Sequence, residues 1–454
     1  MKLRILGVLA LAAVAGACDD PLNPTPQQNI PTAEALNSPD EVRTAVNGMY
    51  DALQNCDGGY CRNLILFPDL YAGNLSFTGT YVSDREVSRR QVTASNTALP
   101  GLWGTAYSGI DRANNVLTAI PTLQSEFEAD EYARLTAEAR FVRALNYHNL
   151  VKFFGGVPIV TTPITVAPAN TGQARNTEAE VYAFIEQDLA AAIPALPSAA
   201  STSREYQGHA TSGAARSLLA RVYLYQRKWQ QAYDMANAVI VSGQYALQAD
   251  YAGVFTREQT SESVFEVPFT VTDPGSLAFW FYTSALGGRR GIAPSSALLA
   301  TLSGSDKRRA VAVQFDEEGT SYGNKYEDIS STADDVPVIR FAELYLIRAE
   351  AAARLGNLAQ ARADVDMIRN RAGLASLDAT AVNTQTLVLQ AVLNERRREL
   401  FFEGHWFFDL KRFGDQAFAA SLLTSLGITE FRLLFPLPQR EIDANPSLTQ
   451  NPGY

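Results

Sequence analysis

The chain has 454 residues, 46% hydrophobic and 19% charged, enough apolar material to bury a large core. A net charge of −10 argues against a nucleic-acid partner, which would call for a basic surface. After the N-terminal apolar run, no stretch reaches the roughly 20 apolar residues of a membrane-spanning helix.

Lys2 and Arg4 precede the apolar run 6–17, which is too short to cross a bilayer and reads as a signal h-region. Cys18 follows at once, then Asp19 and Asp20. Gly16-Ala17-Cys18 resembles a lipoprotein box, which makes Cys18 a lipid-anchor residue. Ala15-Gly16-Ala17 also satisfies ordinary signal peptidase, and the alternative is a secreted protein without an anchor. The predicted organisation is a signal peptide over 1–17, an anchor and spacer over 18–33, and a single domain over 34–454. The Pro-, Asn- and Gln-rich spacer could reach about 45 Å at roughly 3.3 Å per residue.

Helical chemistry begins at Ser38-Pro39-Asp40-Glu41, an N-cap with Pro at the first helical position and Glu three residues after the Ser. Val42, Ala45, Val46, Met49, Tyr50 and Leu53 follow at helical spacing. Further amphipathic segments are predicted over 102–120, 132–154, 181–193, 213–226, 230–241, 341–355, 358–371 and 386–402, with a second capping box at Thr177-Glu178-Ala179-Glu180. Short, isolated strands are expected at 157–160, 264–269 and 431–435. The fold class is mainly α, with helical scaffold over 34–240 and 337–412, a loop-rich insertion over 242–336 and a C-terminal tail over 413–454.

Cys56 and Cys61 flank the Gly-rich stretch Asp57-Gly58-Gly59-Tyr60 and read as a local disulfide in an oxidising compartment. Zinc is the alternative, though a structural site needs a second ligand pair and His148, His209 and His405 are scattered. No metal or other cofactor is expected.

Two helical pairs show the large and small residue spacing of tetratricopeptide hairpins. One carries Leu219, Ala220, Tyr223, Trp229, Ala232 and Ala236, with Arg227 where a turn glycine is expected. The other carries Ala349, Ala352, Gly356, Leu358, Ala361 and Ile368. The plainer alternative is two helix hairpins in a globular core, since the stretch 242–337 separates them.

The densest polar cluster is Glu395-Arg396-Arg397-Arg398-Glu399-Leu400-Phe401-Phe402-Glu403-Gly404-His405-Trp406-Phe407-Phe408-Asp409-Leu410-Lys411-Arg412. Glu395, Glu399 and Glu403 recur at helical spacing and are placed on one helix face. A glycosidase needs two carboxylates facing each other roughly 5–9.5 Å apart across a substrate. Glutamates stacked among arginines read instead as an ion-pair network, in which their pKa values fall, the wrong direction for a general acid. No nucleophile elbow, phosphate-binding glycine loop or metal-binding His pair is present, and the protein is not expected to be an enzyme.

This cluster resembles the C-terminal signature of the SusD/RagB family of outer-membrane nutrient-binding lipoproteins, with Trp406 standing where the family usually has Arg. The ending, from Leu434-Phe435-Pro436-Leu437-Pro438 through Glu441-Ile442 and Asn445-Pro446 to Leu448-Thr449-Gln450-Asn451-Pro452-Gly453-Tyr454, is similar to the family's terminus. Further resemblance covers Leu102-Trp103 with Asn114-Asn115, Ala137 to Pro158, and Arg340 to Ala351. It implies a scaffold of four tetratricopeptide-like units with loop-rich segments forming the ligand surface. It also implies a SusC-like TonB-dependent transporter as partner and a lipid-anchored place on the outer face of the outer membrane, for which Asp19 and Asp20 resemble a surface-export signal.

Sugar recognition typically sets an aromatic face against the ring, flanked by planar polar side chains. Two segments read as loops of that composition. One is Leu277-Ala278-Phe279-Trp280-Phe281-Tyr282, followed by Gly287-Gly288-Arg289-Arg290-Gly291; the other is 74–90. Candidate ligand contacts are Trp280, Phe281, Tyr282, Arg289, Tyr81 and Arg85, and the alternative for each is packing onto the scaffold, as expected for Trp103. The expected function is capture of oligosaccharide or polysaccharide fragments for import. Peptide or glycopeptide ligands on the same fold, a glycoside hydrolase, and a tetratricopeptide groove for periplasmic proteins are the alternatives.

Overall fold

The structure, a computed structural model, describes residues 36–164, 172–198, 208–302 and 304–454. The signal segment, Cys18 and the spacer lie outside the described residues. The scaffold opens with α1 (Pro39–Asp51), α2 (Asn63–Tyr71), α3 (Val82–Arg89), α4 (Leu99–Ala119), α5 (Ala129–Phe154), α6 (Glu178–Ala192), α7 (Ser212–Tyr225) and α8 (Trp229–Ile240). After an irregular stretch carrying α9 (Leu277–Phe281), α10 (Ser296–Leu299) and α11 (Arg309–Ala312), it resumes with α12 (Phe341–Arg354), α13 (Leu358–Arg371), α14 (Gln385–Glu399) and α15 (Trp406–Arg412). The chain finishes with α16 (Ala417–Ser425) and α17 (Gln439–Ala444).

All nine segments with amphipathic periodicity are helices, and their caps act as the sequence implies. Ser38 Oγ accepts from Glu41 N at 3.4 Å. At α6, Thr177 N donates to Glu180 Oε2 at 2.7 Å while Glu180 N donates to Thr177 Oγ1 at 3.2 Å, so two otherwise orphaned amides are satisfied together.

Successive helices pack from α4 through α8, and α8 then packs directly on α12, so the insertion interrupts the sequence but not the stack. Ala220, Ala232, Ala236, Ala349, Ala352 and Ala361 are fully buried where the helices of each hairpin approach. The two hairpins turn identically. Arg227 at φ 60° and Gly356 at φ 85° are left-handed, and the next amide closes onto the carbonyl five residues back, Lys228 N to Tyr223 O at 2.9 Å and Asn357 N to Ala352 O at 2.8 Å. The pairs are therefore equivalent tetratricopeptide-like units.

The strands differ from expectation. Residues 157–160 are extended but form no ladder, because Val160 N donates to the Tyr147 hydroxyl and Ile159 N to Asn176 Oδ1. Within 431–435, a 3-10 turn (Glu430–Leu433) replaces a strand. The segment around 264 is not isolated: β2 (Ser263–Val267) pairs antiparallel with β6 (Val336–Arg340), matching Phe265 to Ile339. β1 (Leu75–Phe77) pairs with β3 (Ile292–Pro294), and β4 (Gln314–Phe315) with β5 (Ser321–Tyr322). Helix α14 ends at Glu399 rather than continuing to Phe402, since Phe402 at φ 59° and Gly404 at φ 78° turn the chain away.

Candidate functional site

The β1–β3 ribbon pulls the two aromatic segments of the sequence together. Leu75 faces Pro294, Phe77 faces Ile292, and Thr78 N donates to Gly291 O at 3.0 Å, so Tyr81 arrives beside the 277–291 segment. A third element joins them. Cys56 and Cys61 form the expected disulfide, with Cα atoms 4.5 Å apart, which removes the zinc alternative. The closed loop lies on the first turn of α4, where a Cβ on Gly58 would stand 1.9 Å from Gly101 O. Ser276 Oγ, just before α9, donates to Cys61 O at 3.0 Å and ties the loop to the aromatic segment.

Between these elements lies an open cleft of about 740 Å³. Asn55, Asp57, Arg62, Asn63 and Thr105 supply planar or hydroxyl polar groups along it, Tyr81, Phe279 and Trp280 supply its aromatic wall, and Arg440 also lines it. The Trp280 ring lies 5.6 Å from Tyr81 and 5.7 Å from Phe279, the latter edge-on. The Arg62 guanidinium sits 3.9 Å over Trp280 and is itself held by Asp84 and by Asn63 Oδ1. Arg289 lies 4.5 Å over Tyr81 and donates to Thr80 Oγ1. The cations thus fix the rings in place and leave Tyr81 45% and Phe279 37% exposed.

The six candidate contacts separate. Trp280 and Tyr81 line the cleft, and Arg289 braces Tyr81. Arg85 is exposed on α3 but is not part of the lining. Phe281 is corrected to a core residue: it is 0% exposed, with its ring 4.9 Å from Phe402. Tyr282 is corrected likewise. It is buried, donates to Asn324 Oδ1 at 2.6 Å and packs tilted against Tyr322 with ring centroids 4.7 Å apart, outside the cleft lining.

Both corrections have one cause. The segment 277–282 is not a loop or a strand with alternating faces; 277–281 is a helical turn, which sends Leu277, Ala278 and Phe281 inward and Phe279 and Trp280 outward. A period of 3.6 applied to Leu277–Phe281 would have found Phe279, which the sequence reading omitted.

The glutamates of the conspicuous cluster lie elsewhere, in the core. Glu399 meets Arg340 Nη1 at 3.0 Å and Arg308 Nη1 at 3.2 Å and also pairs with Arg371. Glu403, although off the helix, meets Arg340 Nε and Lys325 Nζ, each at 2.7 Å. Burial pushes the Glu399 carboxyl up, but Arg371, Arg340 and Arg308 outweigh it and hold it at about 2. Arg340 and Lys325 likewise hold Glu403 below the usual carboxylate range against its burial. A permanently ionised, buried glutamate is a poor general acid. Trp406 is buried beside this network, with Nε1 donating to Ala72 O at 3.1 Å and Arg397 4.6 Å over its ring. Among the described residues, no group of three or more His, Cys, Asp or Glu side chains is arranged to hold a metal ion.

Comparison with known proteins gives two family matches: the SusD family over residues 315–454, and the family described as starch-binding associating with outer membrane over 22–224. The chain is similar to SusD-like protein P2 of Formosa agariphila, 26% identical with all of both chains covered. Among solved structures it is similar to a SusD superfamily protein from Bacteroides vulgatus, with a TM-score of 0.83 at 22% identity, covering 92% of this chain and 100% of that one. It is also similar to a laminarin-binding SusD-like protein, with a TM-score of 0.79 at 26% identity and the same coverage.

Proposed function

We infer, from the premise that this chain belongs to the SusD family, that it is a non-enzymatic glycan-binding protein whose ligand lies along the Tyr81, Phe279 and Trp280 wall. The carrying observation is that exposed aromatic edge in an open cleft with planar polar side chains at hand. A ring wall offers the apolar face of a sugar a flat partner, while the exposed Asn55 and Asp57 can exchange hydrogen bonds with its hydroxyls. An open cleft, unlike a closed pocket, lets a polymer run past both ends. Support comes from the laminarin-binding neighbour and the starch-binding family description.

Tyr81→Ala and Trp280→Ala are each expected to weaken binding about tenfold or more, the loss of roughly 1.4 kcal/mol of stacking. Calorimetric titration of the full chain with laminarin, soluble starch and other soluble polysaccharides measures it. Tyr81→Ala should melt close to wild type because the ring is exposed; both variants binding like wild type would remove this wall from the site.

The proposed setting is the outer membrane, reached through acylation of Cys18, with the glycan passed to a SusC-like TonB-dependent transporter for import. The family description that associates such proteins with the outer membrane supports it. Cys18→Ser should yield folded protein in the soluble fraction on membrane fractionation, because the anchor is separated from the scaffold by the 18–33 spacer. Sedimentation of the variant with the outer membrane would mean that Cys18 is not the attachment point.

A further inference from the structure

A second pocket, of about 180 Å³ and sharing no residue with the cleft, opens between α5, α6, the α7–α8 turn and α15. Its lining includes Lys152, Lys411, Arg227 and Arg412 against a single carboxylate, Glu178. Among the described residues, neither lysine makes an ion pair or hydrogen bond; Lys152 Nζ has only the Phe408 ring, 4.9 Å away. Arg412 is buried. Its Nε and Nη2 bind Glu350 and Asp409, but Nη1 has no partner. The Tyr182 and Tyr225 hydroxyls in the same lining also make no hydrogen bond among the described residues.

Arg412 Nη1 is thus a buried donor without a partner, a costly arrangement in a protein interior, and the half-buried lysines sit beside it. Burial and the Arg221 charge push Lys152 down to about 7, outweighing the opposing influence of Glu343 and Asp409. The rim adds another anomaly. Arg227 occupies a left-handed turn position that Gly356 fills in the equivalent hairpin, so an arginine is kept where glycine fits without strain.

We propose that this pocket is an anion site that takes one compact oxoanion, a sulfate, phosphate or carboxylate group, between Lys152, Lys411 and Arg412 Nη1. The volume favours a small group, being below the roughly 300–1,000 Å³ of pockets that enclose whole small-molecule ligands. The charge imbalance selects an anion, and the tyrosine hydroxyls can donate to its remaining oxygens.

The test is calorimetric titration of the full chain with inorganic sulfate, inorganic phosphate and acetate, repeated on Lys152→Met and Lys411→Met. Saturable binding of at least one anion is expected, about tenfold or more weaker in each lysine variant as befits a lost charge-assisted hydrogen bond, and unchanged in Tyr81→Ala. Both lysine variants should melt at or above wild type, because each removes a charge that burial disfavours. Competition by dextran sulfate would assign the group to a polymer and its failure to compete would assign a free ion; either supports the site. Absence of saturable binding with all three anions, equal affinity in the lysine variants, or a large fall in their melting temperature would overturn it.

Discussion

Arg340→Met is expected to destabilise the protein by about 3–5 kcal/mol, the usual cost of removing one partner from a buried ion pair. Arg340 is 1% exposed and meets Glu262, Glu399 and Glu403 together. Its removal takes one cation from three buried carboxylates at once, leaving Glu262 with Arg371, Glu399 with Arg308 and Arg371, and Glu403 with Lys325. The network spans two parts of the chain: Glu262, Asp306, Arg308 and Lys325 come from the insertion, whereas Arg371, Glu395 and Glu399 come from scaffold helices. It therefore fastens the segment that bears the cleft wall to the helical stack. Urea unfolding measures the loss as a lower midpoint at unchanged slope.

The same network sets an acid limit. Glu399 is held at about 2, below its ordinary 4.5, so its contribution is complete above that ordinary value and disappears as pH falls through about 2. The shift corresponds to roughly 3 kcal/mol. Wild type should lose stability on acidification across that window, and Glu399→Gln should lose less over it while starting lower. A flat wild-type profile between pH 5 and pH 2 would contradict the assignment of Glu399 to an ionised pair.

Phe281→Ala should cost about 3–5 kcal/mol, as expected for truncating a buried aromatic ring. The ring is fully buried against Phe402, and the backbone of Gly323 packs so close that an added Cβ there would lie 2.5 Å from Phe281 Cδ1. Little collapse into the vacated space is available. Its neighbour Trp280 faces the cleft, so adjacent substitutions on one helical turn should fail differently, Phe281→Ala in unfolding and Trp280→Ala in titration. Glycan affinity measured on the folded Phe281→Ala protein should stay near wild type; a tenfold loss with little destabilisation would return Phe281 to the ligand surface.

Where a segment had one wet face, its sequence disclosed it. The amphipathic spacings and the Ser38 and Thr177 caps placed nine helices and the equivalence of two hairpins. Helix α2 escaped because all nine of its residues are buried, leaving no polar face to set a period. Helix α15 was hidden for a similar reason, with every residue but Lys411 buried. Glu403 was placed on a helix face because its spacing fits, but the left-handed Phe402 ends that helix, and nothing in the side chain announces it. The cleft was legible by composition at Tyr81 and Trp280. Its assembly was not, since the contacts that build it join residues more than 200 apart, Cys61 to Ser276 and Leu75 to Pro294.

A crystal structure of the full mature chain with a bound oligosaccharide, chosen from whichever polysaccharide gives the strongest calorimetric signal, tests the central claim most directly. The account predicts sugar density against Tyr81, Phe279 and Trp280, with ring hydroxyls in hydrogen-bond reach of Asn55 or Asp57. Density seated only on another surface, with this wall bare, would contradict it.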